Sequence, residues 1–182
     1  MSRNIEIKVA CTEQQFAEIR GRLYERTLTC IEHMSHCDTY LQAVNGRLKL
    51  REMSSLGGRS AELIQYDRPD VCGARTSTYQ RVPLIVEHVA DVKSALIAAL
   101  GELVTVRKER TVAIWQSTRV HLDQVDGLGL FVELETVLNE DGTDAADGQI
   151  EFDDVCGWLG LTSMEAIAGS YSDLTTRKGL LV

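Results

Sequence analysis

Long apolar runs, a secretion signal and paired cysteines are all missing from this sequence of 182 residues. No apolar stretch approaches the ~20 residues that a transmembrane helix needs, and the N-terminal MSRNIEIKVACTEQQ lacks the hydrophobic core of a signal peptide. The five cysteines are an odd number without a CxxC pair, which favours a reducing compartment over a disulfide scaffold. We therefore expect a cytoplasmic protein with no membrane partner.

Positive charge is also scarce, because 27 Asp and Glu outnumber 19 Lys and Arg and give a formal net charge of −8. General nucleic-acid binding needs a basic face, so we expect no nucleic-acid partner. Only two prolines interrupt a composition that is 44% hydrophobic, and a chain of this length can bury a substantial core. We expect one domain over residues 1–182, in which any cluster of cations runs against the overall sign.

The apolar pattern predicts two runs of strands, each followed by helix. Residues 3–10 alternate with period two, and residues 13–26 carry a helical apolar stripe behind a capping box of Thr12 and Gln15. Asn45-Gly46 is a strong hairpin signal. Helices are also predicted over 87–100, 150–160 and 162–169, with a loop over 140–148 and a tail over 170–182. About eight strands grouped in this way are typical of an α+β fold.

The stretch TRVHLDQVDGLGLFVELETVL, residues 118–138, gives one strand face entirely to charged groups. Arg119, His121 and Asp123 alternate with apolar residues in its first strand. Glu133 and Glu135 do so in its second. At least five strands share this property, and the cations on the central ones are Arg47, Lys49, Arg51, Lys108 and Arg110. One such strand fits the wet face of an ordinary sheet, but the recurrence indicates a shared ionic surface.

A sheet that closes on itself with this ionic face inward would enclose a wet, charged lumen, while helices cover its apolar outer face. Buried charges cost several kcal/mol per ion unless they are compensated. A polyphosphate with a divalent metal compensates both signs, because Arg and Lys bind phosphate oxygens and carboxylates bind Mg²⁺ or Mn²⁺. The alternative is an exposed sheet laced with cross-strand ion pairs.

Seven segments resemble the motifs of one family over nearly the whole length: DTYL, RLKLRE, ELIQYDRPD, RTSTY, VRKERTV, RVHLDQVDGLGLFVELE and SYSDL. The sequence resembles the CYTH superfamily, also called triphosphate tunnel metalloenzymes, which includes class IV adenylyl cyclases and thiamine triphosphatases. The class IV cyclase-like branch is the most similar. The resemblance implies an α+β fold built on a closed eight-stranded antiparallel β-barrel, a tunnel with a charged lumen and helices packed outside.

The same resemblance implies roles for individual residues and a cofactor, Mg²⁺ or Mn²⁺. The positions that match metal ligands are Glu6, Glu133 and Glu135. Those with an implied catalytic role are Lys8, Arg110 and Asp123. Those expected to bind the triphosphate are Arg47, Lys49, Arg51, Glu62, Arg68, Lys108, Arg110 and Lys178.

The implied function is that of a metal-dependent enzyme acting on a small-molecule triphosphate such as ATP. The first hypothesis is class IV adenylate cyclase-like conversion of ATP to cyclic AMP and pyrophosphate, and the alternative is hydrolysis of an inorganic, thiamine or nucleoside triphosphate. The family's opening motif ExExK reads Asn4-x-Glu6-x-Lys8 here. Because its first glutamate is missing, a third hypothesis is a non-catalytic nucleotide or polyphosphate binding module. A homodimer stays open as the assembly state.

The segment CIEHMSHC raises a separate hypothesis, because Cys30, His33, His36 and Cys37 are residue types that bind zinc. Their spacing is not that of a standard zinc finger, and the segment runs into a predicted strand. We favour the interpretation of a loop with soft, half-buried side chains.

Overall fold

The computed structural model describes residues 3–26, 31–67, 78–138 and 145–179. These residues form eight strands in one antiparallel sheet, accompanied by four α-helices. The strands are β1 (Arg3–Cys11), β2 (Glu32–Leu41), β3 (Arg47–Ser55), β4 (Gly58–Asp67), β5 (Thr78–Leu84), β6 (Glu102–Trp115), β7 (Thr118–Val125) and β8 (Gly129–Leu138). The helices are α1 (Glu13–Arg26), α2 (Val89–Leu100), α3 (Ala145–Leu159) and α4 (Tyr171–Gly179). The predicted α+β class is confirmed.

The strands follow the order β1-β8-β7-β6-β2-β3-β4-β5 in the sheet. The pairing of β2 with β6 joins the two runs of strands, and β1 pairs with β8. Among the described residues no ladder joins the edge strands β1 and β5, so the predicted closed barrel is not confirmed. Because every pair is antiparallel, the alternating side chains of neighbouring strands line up on two common faces.

The first two helices lie close to their predicted positions. In front of α1, the Gln15 amide donates to Thr12 Oγ1 at 3.2 Å and the Thr12 amide donates to Gln15 Oε1 at 2.9 Å, which is the predicted capping box. A 3₁₀ turn over Val86–His88 precedes α2, and Gly101 ends this helix with a φ of +82°. Glycine adopts this conformation without the clash that a Cβ would cause.

The predictions for residues 140–169 are partly wrong. Helix α3 begins at Ala145, inside the segment predicted as a loop, and Gly160 ends it with a φ of +78°. The helix predicted over 162–169 is absent from the described structure, which has only a 3₁₀ turn at Leu161–Ser163 there. The apolar residues of this segment pack singly against the core, as Leu161 and Met164 do, without forming a helix.

Helix α4 occupies part of the segment predicted as a tail. Its N-terminus is a second capping box, in which the Ser170 amide donates to Asp173 Oδ2 at 2.7 Å and the Asp173 amide donates to Ser170 Oγ at 3.3 Å. Capping of this kind satisfies amides that a helix leaves unpaired at its first turn. The helix therefore starts at a fixed point beside the ionic face of the sheet.

The other face of the sheet is apolar and packs against α1 and α3. Ile19 and Leu23 of α1 and Phe152 and Leu159 of α3 belong to this core. The buried strand residues of the same cluster are Ile5, Val9, Ala113, Val120, Leu122, Val132 and Leu134. Helices thus cover the apolar face, as predicted, and the ionic side chains are left on the opposite face. No helix in the described part of the chain has the length and apolar character that crossing a membrane requires.

Candidate functional site

The ionic faces of the strands meet in one cavity of about 460 Å³. Among the described residues, its lining carries seven Lys or Arg and four Asp or Glu side chains, so cations exceed carboxylates by three. The cations are Lys8, Lys49, Arg51, Arg81, Lys108, Arg110 and Arg119. The carboxylates are Glu6, Asp38, Glu133 and Glu135. A concave surface with excess positive charge attracts anions, even on a chain with a net charge of −8.

Asp38 of β2 holds two of these cations, both on the neighbouring strand β3. Its carboxylate accepts from Lys49 Nζ at 2.9 Å and from Arg51 Nε and Nη2 at 2.7 and 2.6 Å. Burial raises the pKa of Asp38, but the charges of Lys49 and Arg51 outweigh burial and hold the pKa well below its usual range. The two cations are therefore fixed by an ionised carboxylate before any ligand arrives.

Asp123 plays the same part for a second pair of cations. Arg110 donates to both of its oxygens at 2.6 and 2.5 Å, Lys108 Nζ lies 3.3 Å from Oδ2, and the Tyr171 hydroxyl donates to Oδ2 at 2.8 Å. Burial raises the pKa of Asp123, and the charges of Arg110 and Lys108 outweigh that effect and lower it. Asp123 is fully buried and is not among the residues that line the cavity. It positions the cations from behind the cavity wall.

Glu133 contacts side chains from three other strands, two of them cations. It lies 3.1 Å from Lys8 Nζ and 2.6 Å from Arg110 Nη2, and His121 Nδ1 is 3.7 Å away. Burial raises the pKa of Glu133, but Lys8, His121 and Arg110 together hold it well below its usual range. Burial and the Arg110 charge lower the pKa of His121. The imidazole therefore favours its neutral form, while Glu133 stays ionised.

Asn4, Glu6 and Glu135 form a more acidic part of the wall. Glu6 and Glu135 are directly opposite in the β1–β8 ladder. Asn4 Nδ2 donates to Glu135 Oε1, and the buried Asn4 Oδ1 has no hydrogen-bond partner within the described residues. Two carboxylates and an amide oxygen are ligand types that Mg²⁺ and Mn²⁺ accept, with phosphate and water oxygens completing the shell. These residues fit a hard divalent cation. In the described part of the chain, however, no three His, Cys, Asp or Glu side chains are arranged so that they could hold a metal ion by themselves.

The fold that forms this cavity is also found in other proteins. A family model described as the CYTH domain matches residues 2–171. The chain belongs to the CYTH domain family. A comparison with curated proteins finds no match.

Solved structures share the CYTH domain fold at low sequence identity. PH1819 of Pyrococcus horikoshii has a TM-score of 0.71 at 18% identity, over 96% of this chain and 99% of its own. HpAC1 of Hippeastrum, proposed as an adenylyl cyclase and described as having a dominant triphosphatase activity, has a TM-score of 0.68 at 14% identity, over 98% of this chain and 96% of its own. The RNA triphosphatase Pct1 of Schizosaccharomyces pombe has a TM-score of 0.55 at 12% identity, over 87% and 83%. At identities this low, the structural similarity shows a shared fold.

Two lysines of this CYTH domain have perturbed pKa values. Burial, followed by the Arg51 charge, lowers the pKa of Lys49 to about 7, although Asp38 opposes the shift. Burial and the Arg110 charge lower the pKa of Lys108 to about 8. Each ammonium is crowded by a guanidinium as well as desolvated. An anion placed between these cations would favour their charged forms.

The structure brings most of the predicted site residues together in the cavity. Six of the predicted cations and carboxylates in its wall are joined by the ion pairs described above: Lys8, Lys49, Arg51, Lys108, Arg110 and Glu133. The predicted metal ligands Glu6 and Glu135 line it as well. The strand register explains this grouping, because each of these residues occupies the ionic face of its strand.

Four other predicted site residues lie elsewhere or are not described. Arg47 does not line the cavity and pairs with Asp173 at 2.9 Å. Glu62 is buried behind it and accepts two hydrogen bonds from Arg81, each of 2.9 Å. Lys178 is exposed at the other end of α4, where it donates to a backbone carbonyl in the β7–β8 turn. The remaining one, Arg68, lies outside the described residues.

Three residues of the cavity were missed by the sequence reasoning. Asp38 lies opposite Arg51 in the β2–β3 ladder, but the hairpin signal did not reveal this, because a two-residue turn at Asn45-Gly46 would pair Arg51 with Tyr40 instead. Arg81 could not be predicted from the sequence, because the residues around it did not indicate which strand pairs with its own. Tyr171 reaches the cavity from α4, and the sequence signal that could have located this helix is the capping box of Ser170 and Asp173.

The proposed zinc ligands of CIEHMSHC do not converge. His36 and Cys37 are adjacent on β2 and therefore point to opposite faces of the sheet. His33 binds Thr111 Oγ1 at 2.9 Å and Cys37 accepts from Arg107 at 2.9 Å. Cys30 lies outside the described residues. Both ring nitrogens of His36 are buried without a hydrogen-bond partner among the residues described, and burial and the Arg51 charge lower its pKa to about 2.

Proposed function

We propose that this CYTH domain is a metal-dependent enzyme that acts on a nucleoside triphosphate, as a class IV adenylate cyclase-like protein that forms cyclic AMP and pyrophosphate from ATP. The observation that carries the proposal is the cavity, in which seven cations from several strands surround a space of about 460 Å³. A triphosphate carries up to four negative charges in a row and matches such a set of donors. The proposal treats residues 1–182 as one domain.

The two carboxylate-held pairs of cations suit the phosphate chain. Lys49 and Arg51 on β3 and Lys108 and Arg110 on β6 are separated only by β2, so they form two neighbouring groups in the cavity wall. Arginine can bind two phosphate oxygens at once, and lysine acts as a point charge. The pairs would hold neighbouring phosphates in line, with the reacting phosphorus fixed relative to its nucleophile.

The acidic part of the wall suits a divalent cation. Glu6, Glu133 and Glu135 would hold Mg²⁺ or Mn²⁺, with the Asn4 amide oxygen beside them. When bound, such an ion neutralises charge that develops on phosphate oxygens. Lys8 and Arg110 already neutralise Glu133, and they would be released toward phosphate when Glu133 turns to the metal.

Two reactions fit the same residues. In the cyclase reaction the ribose 3′-hydroxyl attacks the α-phosphorus, loses its proton, and expels pyrophosphate. In the hydrolase reaction water attacks the terminal phosphorus and expels a nucleoside diphosphate. Similarity to the Hippeastrum protein, which is described as having a dominant triphosphatase activity, supports the hydrolase as the second candidate.

Incubation of the purified protein with ATP and Mn²⁺ or Mg²⁺, followed by chromatography of the products, tests the proposal. Cyclic AMP with pyrophosphate supports the cyclase, and ADP with phosphate supports the hydrolase. If ATP binds without either product, the protein is the non-catalytic module for which the Asn4 departure is the main support. Absence of ATP binding contradicts a cyclase, a hydrolase or a binding module that uses this nucleotide.

A further inference from the structure

One part of the cavity wall is aromatic. Tyr40, Tyr66 and Tyr79 line the cavity together with the phosphate-type cations. Tyr66 and Tyr79 are directly opposite on β4 and β5, and their rings stack at 5.6 Å between centroids with 22° between planes. The chain has only five tyrosines, and four of them, these three and Tyr171, line this cavity.

The aromatic part of the wall lies next to cations. Lys49 Nζ lies 5.3 Å from the Tyr40 ring centre and 5.6 Å from the Tyr66 ring centre. The Arg47 guanidinium lies 6.0 Å from the Tyr66 ring centre and pairs with Asp173 at 2.9 Å. A ligand with a phosphate at Lys49 therefore has the tyrosines within reach of its attached group.

Burial changes sharply along the stacked pair. Tyr66 is 4% exposed, whereas Tyr79 is 38% exposed and still lines the cavity. A cross-strand aromatic pair stabilises a sheet on its own, but that role favours burying both rings. Instead, Tyr66 is fixed in the core cluster with Ile64 and Val106, and it supports a second ring that remains accessible from the cavity.

We infer that Tyr79, backed by Tyr66, binds the planar base of a nucleoside triphosphate whose phosphates lie among the cations of the cavity. This inference rests on the proposed function and deepens it, because it names the organic group of the substrate and the residue that recognises it. Stacking on an aromatic side chain is worth about 1–3 kcal/mol per base. Tyr79 is thus a specificity-determining residue that separates nucleoside triphosphates from inorganic triphosphate, and Tyr66 is its positioning residue.

Calorimetric titration of the full chain with two ligands tests this inference: a non-hydrolysable ATP analogue and inorganic tripolyphosphate, each with Mg²⁺. The Tyr79→Ala variant is expected to bind the ATP analogue about 5- to 150-fold more weakly, the range that 1–3 kcal/mol implies. Its affinity for tripolyphosphate is expected to change less than twofold. Tyr79→Phe keeps the ring and should behave as wild type toward both ligands.

Tyr24→Ala is the matched control, because Tyr24 is a 44% exposed tyrosine on α1 that does not line the cavity. It should change neither affinity. An equal loss for both ligands in Tyr79→Ala, or an unchanged affinity for the ATP analogue, overturns the role of Tyr79. Binding of the ATP analogue by the wild type supports the proposed function whichever way the Tyr79 result falls, whereas a wild type that does not bind the ATP analogue overturns the proposed function itself.

Discussion

Replacing Asp123 by asparagine should destabilise the fold strongly. The side chain is fully buried and accepts hydrogen bonds from Arg110, Lys108 and the Tyr171 hydroxyl. Asparagine has nearly the same shape, but it removes the negative charge and turns an NH₂ group toward donors. Lys108 and Arg110 then lose the negative charge of Asp123. Only Arg110 keeps a contact with another carboxylate, that of Glu133.

The expected magnitude follows from that loss. Breaking a buried ion pair by removing one partner typically costs 3–5 kcal/mol. For a chain of 150–250 residues each kcal/mol lowers Tm by about 2–4 °C, so Tm should fall by roughly 6–20 °C. Because this destabilisation acts through repulsion between Lys108 and Arg110, bound tripolyphosphate should restore more stability to the variant than to the wild type.

The pH dependence adds a second measurement with a definite sign. The pKa of Asp123 is lowered from its ordinary value of 3.8, so its stabilising contribution is present above about pH 4 and is lost as pH falls through the native pKa. The difference between wild type and Asp123→Asn should therefore be constant from about pH 5 to 7 and should shrink below pH 4.

Urea unfolding at several pH values, together with thermal melts with and without tripolyphosphate, measures both effects. Asp126→Asn is the matched control, since Asp126 is an exposed aspartate in the turn after β7 and should shift Tm by no more than about 2 °C. An Asp123→Asn variant as stable as Asp126→Asn would show that the buried carboxylate is not the counter-ion of the two cations.

Three further predictions concern the cavity wall. Glu135→Gln should leave the far-ultraviolet circular dichroism and Tm unchanged within about 2 °C but abolish metal-dependent turnover; full activity would exclude Glu135 as a ligand. Binding of tripolyphosphate should take up protons at pH 8, because it raises the lowered pKa of Lys49 (about 7 in the free protein); calorimetry in two buffers measures this, and Lys49→Arg should remove most of the uptake. Asn4→Glu should tighten Mn²⁺ binding at least several-fold by adding a carboxylate to the wall, and equal Mn²⁺ affinities in a titration would contradict that.

The sequence predicted the parts of the site that depend on local geometry. Alternation along each strand places Lys49 and Arg51 on one face whatever their partners are. Alternation similarly predicted that Glu133 and Glu135 share a face. These relations need only the period of a strand. The pairing of Asp38 with Arg51 also needs the register, and the connection over 42–46 is longer than a two-residue Asn45-Gly46 turn.

Long-range pairing could not be predicted in this way. Nothing local states that β2 pairs with β6, yet that pairing places Lys108 beside the Asp38 group. The contribution of α4 was missed for the same reason, because Tyr171 reaches Asp123 across a separation of 48 residues. The family resemblance implied a common charged lumen, but neither this strand pairing nor the contact of Tyr171 with Asp123 was among its expectations.

Two carboxylates, Asp123 and Glu133, explain how a cationic site avoids repulsion between its own charges and still accepts an anion. Asp123 lies behind the wall, where a ligand cannot displace it, so Arg110 and Lys108 keep their positions whether or not the site is filled. Glu133 lies in the wall and neutralises Lys8 and Arg110 there. Phosphate oxygens could replace Glu133 on these cations only if Glu133 gains another positive partner, which a divalent ion would provide. Anion and metal should therefore bind cooperatively, each lowering the cost of the other.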